Sequence, residues 1–283
     1  MIENKINRWQ GKTALITGAS SGIGAATARH LSTAGIKVIL SARRVDRLEH
    51  LAHEIQSLGG QAKIIAADLA DPSERQILFE EAMSFSGTLD LLINNAGLGW
   101  YGYAADMPIS TAREVIQINV EASVELSLLA LPRMRARNSG HIINIGSIVG
   151  GIPSQGVAVY AASKAFMDAF TTAIYRELTG TGVHVSVIRA GPVQTEFYDT
   201  AADRSNGLRI PVERFAVTDD LVAKCIWRVM QHPRRFVYIP GWMGIAPGVE
   251  ACFGWLMDRV GPLLLRRANH QTQQASSPTS TRQ

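Results

Sequence analysis

Seven short runs of β-branched and aliphatic residues, separated by longer segments with helical spacing, constrain this chain more than any other feature. The runs are 13–17, 37–41, 63–66, 91–93, 141–145, 185–188 and 236–239. The helical patterns fall near 23–34, 45–58, 73–85, 110–137, 157–179 and 218–231. A strand followed by several helical turns cannot fold back as a hairpin. It crosses over and pairs in parallel, and strands covered by helices on both faces read as continuous apolar runs. The expected architecture is therefore α/β, a doubly wound parallel sheet of seven strands. Boundary residues agree. Asp71-Pro72 places a capping side chain before a first-turn proline, and Ser110, with Glu114 soon after, reads as a second cap. Gly59-Gly60, Gly140 and Gly180 stand where helices should stop.

At 283 residues, with 46% hydrophobic and 18% charged side chains, the chain can bury a full core. The net charge of +4 suits anionic cofactors, but the basic residues are scattered, which argues against nucleic-acid binding. There are two cysteines, Cys225 and Cys252, and residues 1–12 contain no apolar run, so a cytoplasmic location is expected. Leu221, Val222, Cys225, Ile226 and Val229 form one helical stripe, making Cys225 a core residue. His50 and His53 lack further ligands nearby, and no metal site is expected. Residues 10–240 read as the folded domain, 241–267 as an apolar helical extension and 268–283 as a disordered tail.

Two local motifs carry chemistry. After the first strand comes Thr17-Gly18-Ala19-Ser20-Ser21-Gly22-Ile23-Gly24, opening a helix. Glycines there let the backbone approach a pyrophosphate, and the helix offers free N–H groups and its positive dipole end. Further on, Tyr160 and Lys164 lie four apart in YAASK, on one face of a helix, where an ammonium can act on the ionisation of a phenol. Taken alone, that pair also fits a core ring beside a solvated cation.

TGASSGIG, NNAG (94–97), Asn119, Ser147, YAASK and AGPVQT (190–195), in this order and spacing, resemble the short-chain dehydrogenase/reductase family. The resemblance spans residues 10–240 and implies a Rossmann-type single domain. It also implies that Tyr160 protonates a carbonyl oxygen in reduction, or acts as base in the reverse. Lys164 would favour the phenolate and bind the nicotinamide ribose, Ser147 would hydrogen-bond the substrate oxygen, and Asn119 would hold a water leading from Lys164 to solvent. By the same resemblance Gly18, Ser20, Ser21, Gly22, Ile23 and Gly24 hold the cofactor, and Asp68 and Leu69 approach the adenine. Asn95, Ala96 and Gly97 lie along the adenosine side, Asn94 has a mixed structural and binding role at the sheet's edge, and Pro192, Val193 and Thr195 reach the nicotinamide amide and phosphates. The family's habit of pairing through long helices implies a homodimer or homotetramer.

The second strand ends Ser41-Ala42-Arg43-Arg44, with no acid to grip the ribose hydroxyls. Guanidinium groups at that position suit a 2′-phosphate, so NADP(H) is expected over NAD(H), with Arg43 leading. Residues 98–109, carrying Trp100, Tyr101 and Tyr103, and 196–217, both loop-like, should line the substrate mouth and suit an apolar or amphipathic substrate, which by the resemblance would be a ketone, an aldehyde or a 3-oxoacyl compound. Trp242, Ile245, Val249, Phe253, Leu256, Val260 and Leu263 recur at helical spacing. Packing on the core or a subunit interface ranks ahead of peripheral contact with lipid. An NADP(H)-dependent carbonyl reductase is the leading reading; an NAD-dependent secondary alcohol dehydrogenase and a non-catalytic cofactor-binding sensor or scaffold are the alternatives.

Overall fold

The computed structural model describes residues 8–208, 216–256 and 258–259. Each apolar run becomes a strand: β1 (Thr13–Thr17), β2 (Lys37–Ser41), β3 (Ala62–Ile64), β4 (Leu91–Asn94), β5 (Gly140–Ser147), β6 (Val183–Ala190) and β7 (Phe236–Ile239). They form one parallel sheet in the order β3-β2-β1-β4-β5-β6-β7. Between them run α1 (Gly22–Thr33), α2 (Val45–Ser57), α3 (Pro72–Ser86), α4 (Ile109–Ile116), α5 (Ala122–Ala136), α6 (Ala158–Glu177), α7 (Phe197–Ala202) and α8 (Asp219–Gln231).

Every residue of β1, β4 and β5 is buried, because successive side chains enter opposite layers. Ala14 and Ile16 pack with Leu31 of α1, Leu51 of α2 and Ile226 of α8. Leu15 and Ile142 face the other way, onto Phe79 of α3, Leu126 of α5 and Ile174 of α6. Each leucine, isoleucine or phenylalanine among them contributes about 1.5–3 kcal/mol when fully buried. β1 pairs with both β2 and β4, so the winding reverses between β1 and β4. A crevice opens there beyond the carboxyl ends of the strands.

Several boundaries differ from expectation. β3 is shorter, ending at Ile64, since as an edge strand it pairs only with β2. The run 110–137 is broken by a π-turn at Gln117–Glu121. Ser110 is not a cap: Pro108 stands at that position, so the helix begins one residue earlier, while Glu114 pairs with Arg204. Asp71 does cap α3, accepting from Ser73 N at 2.7 Å. Cys225 is buried, but Leu221 of its proposed stripe is 45% exposed. Asn94 is not at the sheet's edge but on its central strand. Its amide donates to Ser123 O, Ser127 Oγ and Asn144 Oδ1, and Asn144 in turn donates to Thr171 Oγ1.

After β7, a turn at Gly241–Ile245 leads into helix over 246–256. Its apolar side chains do not pack on the core. Trp242, Ile245, Val249, Phe253 and Leu256 are 46–68% exposed, because the chain here runs past the sheet's last strand, and of these turns Met243 is the side chain that is buried. Val260, Leu263 and the tail 268–283 lie outside the described residues.

Candidate active site

A cleft of about 350 Å³ lies over the carboxyl ends of the central strands. Its floor is the glycine loop. Gly22 has φ +51°, and a Cβ there would come within 2.6 Å of Thr195 Cγ2, so a side chain is excluded on both counts. At the start of α1, Ser21 makes no side-chain cap and the first turn carries no acid, which leaves N–H groups and a positive dipole end for an anion. Gly18, Ser20, Ser21, Gly22 and Ile23 line the cleft. Gly24 does not: a Cβ on it would sit 2.4 Å from Gly18 O, so its glycine serves the packing of helix on loop.

Asn95 binds this floor to β4, donating to Thr17 O at 2.9 Å and Gly18 O at 3.1 Å, while Ala96 N donates to Thr17 Oγ1. Ala96, Gly97, Asp68 and Leu69 also line the cleft, as do Val193 and Thr195. Pro192 is not among the lining residues; its carbonyl accepts from Val217 N and joins two segments. At the adenosine end, Arg43 lies 3.8 Å from Asp68 and 3.7 Å from Glu114. Arg44 reaches further in, donating to Ser20 Oγ, Ser21 Oγ and Glu196 Oε2. An anionic dinucleotide fits these residues: a backbone cradle without acids at one point and two arginines at another.

At the opposite end, β5 delivers Ser147 and the first turns of α6 deliver Tyr160 and Lys164. Lys164 Nζ is 5.7 Å from the Tyr160 ring centre and donates to Ile145 O at 2.9 Å. Loss of solvation pushes the Tyr160 phenol up, Tyr198 adds to this, and a hydrogen bond with Ser147 opposes it. Lys164 is lowered to about 8 by burial, partly offset by Asp168. Asn119 sits on the π-turn, buried, with its amide carbonyl accepting from Leu98 N and its amide nitrogen donating to Leu98 O and Ser163 Oγ. Its side chain thereby ties the 97–99 loop to α6, with both polar atoms engaged.

The two segments expected at the substrate mouth meet, but Trp100, Tyr101 and Tyr103 are not among the residues that line the cleft. Trp100 Nε1 donates to Ser205 O, and Leu208 N donates to Tyr101 O. Residues 197–202 form a short helix rather than a loop, and 209–215 lie outside the described residues. Tyr101 stacks on Tyr198 with centres 5.8 Å apart, and Phe197 lies 5.6 Å from Tyr160. Glu196, Phe197 and Tyr198 line the cleft but were not singled out from sequence. The available signal was their position directly after the AGPVQT turn.

A dinucleotide cradle joined to a Ser-Tyr-Lys cluster defines a nicotinamide-dependent oxidoreductase of the doubly wound α/β class. Residues 12–206 match the short chain dehydrogenase family. The chain belongs to that family. It is 38% identical over 186 residues to a ketoacyl reductase, HetN, of Nostoc sp., a match covering 65% of this chain and 64% of the relative's length, less than two thirds of that protein. Its fold is similar to a short-chain dehydrogenase of Sphingobium yanoikuyae in complex with NADPH, at TM-score 0.75 and 25% identity, covering 96% of this chain and 98% of that one. A short-chain dehydrogenase/reductase of Burkholderia phymatum in complex with NAD shares the fold at TM-score 0.76 and 22% identity, covering 97% and 99% of the two chains.

Proposed function

We propose that this enzyme reduces the carbonyl group of an apolar ketone, aldehyde or 3-oxoacyl compound with NADPH, Tyr160 giving the proton. The observation that carries the reading is the placement of Tyr160 in the cleft, bonded to Ser147 and with Lys164 Nζ 5.7 Å from its ring centre. When bound, the reduced nicotinamide cofactor supplies the hydride. Ser147 donates a hydrogen bond to the substrate oxygen as negative charge grows there, and Tyr160 transfers its proton to the same atom. Lys164 holds the ribose hydroxyls and stabilises the phenolate left behind. Gly18, Gly22, Ile23 and Thr195, which line the cleft at the glycine loop, would hold the pyrophosphate.

Arg44 and Arg43 support NADPH over NADH, since planar, permanently charged forks match a 2′-phosphate. The aromatic faces of Phe197 and Tyr198, which line the cleft with Tyr101 packed behind Tyr198, exclude water and favour an apolar substrate. The ketoacyl reductase relative supports including 3-oxoacyl compounds in the substrate class. The test is a panel of ketones, aldehydes and acyl thioesters with each cofactor. We expect kcat/KM for NADPH to exceed that for NADH by at least about tenfold, and Arg44→Gln to remove most of that preference. Equal use of the two cofactors by the unmodified enzyme would contradict the assignment.

A further inference from the structure

We propose that Glu196 is a specificity-determining residue, an internal carboxylate that holds Arg44 and Arg47 in place of the cofactor's 2′-phosphate and couples that phosphate to the aromatic helix over Tyr160. The inference rests on the NADPH reading above. Its basis is a pair of contacts spanning the cleft: Glu196 Oε2 accepts from Arg44 Nη1 at 2.8 Å, and Glu196 Oε1 accepts from Arg47 Nη1 at 2.5 Å. The carboxylate is held below its ordinary range, first by the bond from Arg47 and then by that from Arg44.

What makes this more than a surface ion pair is where Glu196 sits. It directly precedes α7, and its carbonyl accepts from Thr200 N in the first turn of that helix. The next residue, Phe197, lies against Tyr160, and the one after stacks on Tyr101. The far side of the same segment is also tied toward the arginines: Arg204 donates to both oxygens of Glu114, at 2.8 and 3.1 Å, and Glu114 is 3.7 Å from Arg43. The aromatic helix is thus fastened before and after to acids that share the guanidinium groups expected to read the 2′-phosphate.

A phosphate monoester carries nearly two negative charges and three acceptor oxygens, against one charge and two oxygens on Glu196, so it displaces the carboxylate. Binding of the 2′-phosphate then frees Glu196 and loosens the first turn of α7 over Tyr160. By linkage, any change that weakens the Glu196 contacts tightens binding of the phosphate. A cofactor without that phosphate leaves the contacts in place. The carboxylate therefore acts on discrimination between the two cofactors without touching the reacting atoms.

The experiment is calorimetric binding of two nicotinamide-free fragments, adenosine 2′,5′-bisphosphate and 5′-AMP, to the full chain and to its Glu196→Gln and Glu196→Asp variants. We expect Glu196→Gln to bind the bisphosphate about three- to tenfold more tightly, with 5′-AMP unchanged and Glu196→Asp between the two. If the unmodified chain prefers the bisphosphate but Glu196→Gln leaves both affinities unaltered, or shifts both alike, the proposal is overturned while the NADPH reading stands. If the unmodified chain binds the two fragments equally, both fall together. Thermal unfolding of the ligand-free variants confirms that each is folded, which Glu196, 46% exposed at its side chain, permits.

Discussion

The floor of the cleft and the cap over Tyr160 are held by different kinds of contact. On the floor, buried backbone and amide groups are tied together: Asn95 closes onto Thr17 and Gly18, and the Asn94 amide nitrogen and Asn144 link β4, β5, α5 and α6, with Asn94 Oδ1 left without a partner among the described residues. The cap is held by ring contacts and by ion pairs near the surface, with the Arg44 and Glu196 side chains 41% and 46% exposed. Charge-charge contacts of the second kind are screened and individually weak, whereas breaking a buried network leaves unpaired polar groups. The floor is built to stay in place and the cap to yield.

The contrast can be broken first at its strongest point. Replacing Asn144 by Leu removes the acceptor of Asn94 and the donor to Thr171, both buried, and is expected to destabilise the protein by about 2–4 kcal/mol in urea unfolding. A loss near that of an exposed substitution would mean that the network adds little. Next comes a change with the opposite sign. Lys164 has its folded pKa lowered to about 8 from 10.5, so burying its ammonium works against folding at neutral pH. Lys164→Met should abolish activity yet raise stability at pH 7 by about 1–3 kcal/mol. Between pH 8 and 10.5 the unfolded chain binds more protons than the folded one, so the unmodified protein gains stability as pH rises and the variant's advantage should shrink. An advantage that grew over that range would contradict the burial account.

The smallest effect is expected outside the cleft. Trp255 is 58% exposed on the helix over 246–256, so Trp255→Ser should change stability by less than about 0.5 kcal/mol. A larger loss in dilute solution would show that this helix is covered.

These regions also differ in how far they could be read in advance. The strands and crossover order follow from continuous apolar runs between helical patterns, a local signal that sheet burial enforces. Gly22 was legible from its place at the first strand-to-helix turn, whereas Ser147, Tyr160 and Lys164 were legible through the family resemblance of their joint spacing. The spacing of the glycines could not distinguish Gly22, which faces the cleft, from Gly24, which packs against Gly18 O. Likewise Asn119 reads as a polar residue in a helix; that both ends of its amide are bonded depends on the 97–99 loop and on Ser163, far away in sequence. Glu196 was expected only as part of the segment at the substrate mouth; its pairing with Arg47 and Arg44 was not legible because they lie 149 and 152 residues away. The exposed helix after β7 reads as core from periodicity alone, since periodicity reports a face and not what covers it.

The proposed reaction depends above all on Tyr160 as the proton donor in an NADPH-dependent reduction. Single-turnover kinetics of Tyr160→Phe with a reducible ketone, alongside NADPH binding to the same variant, tests it most directly. The expected result is a rate reduced by at least about a hundredfold with NADPH affinity within about threefold of the unmodified enzyme. A variant that binds NADPH equally well and reduces the ketone at nearly the original rate would contradict it.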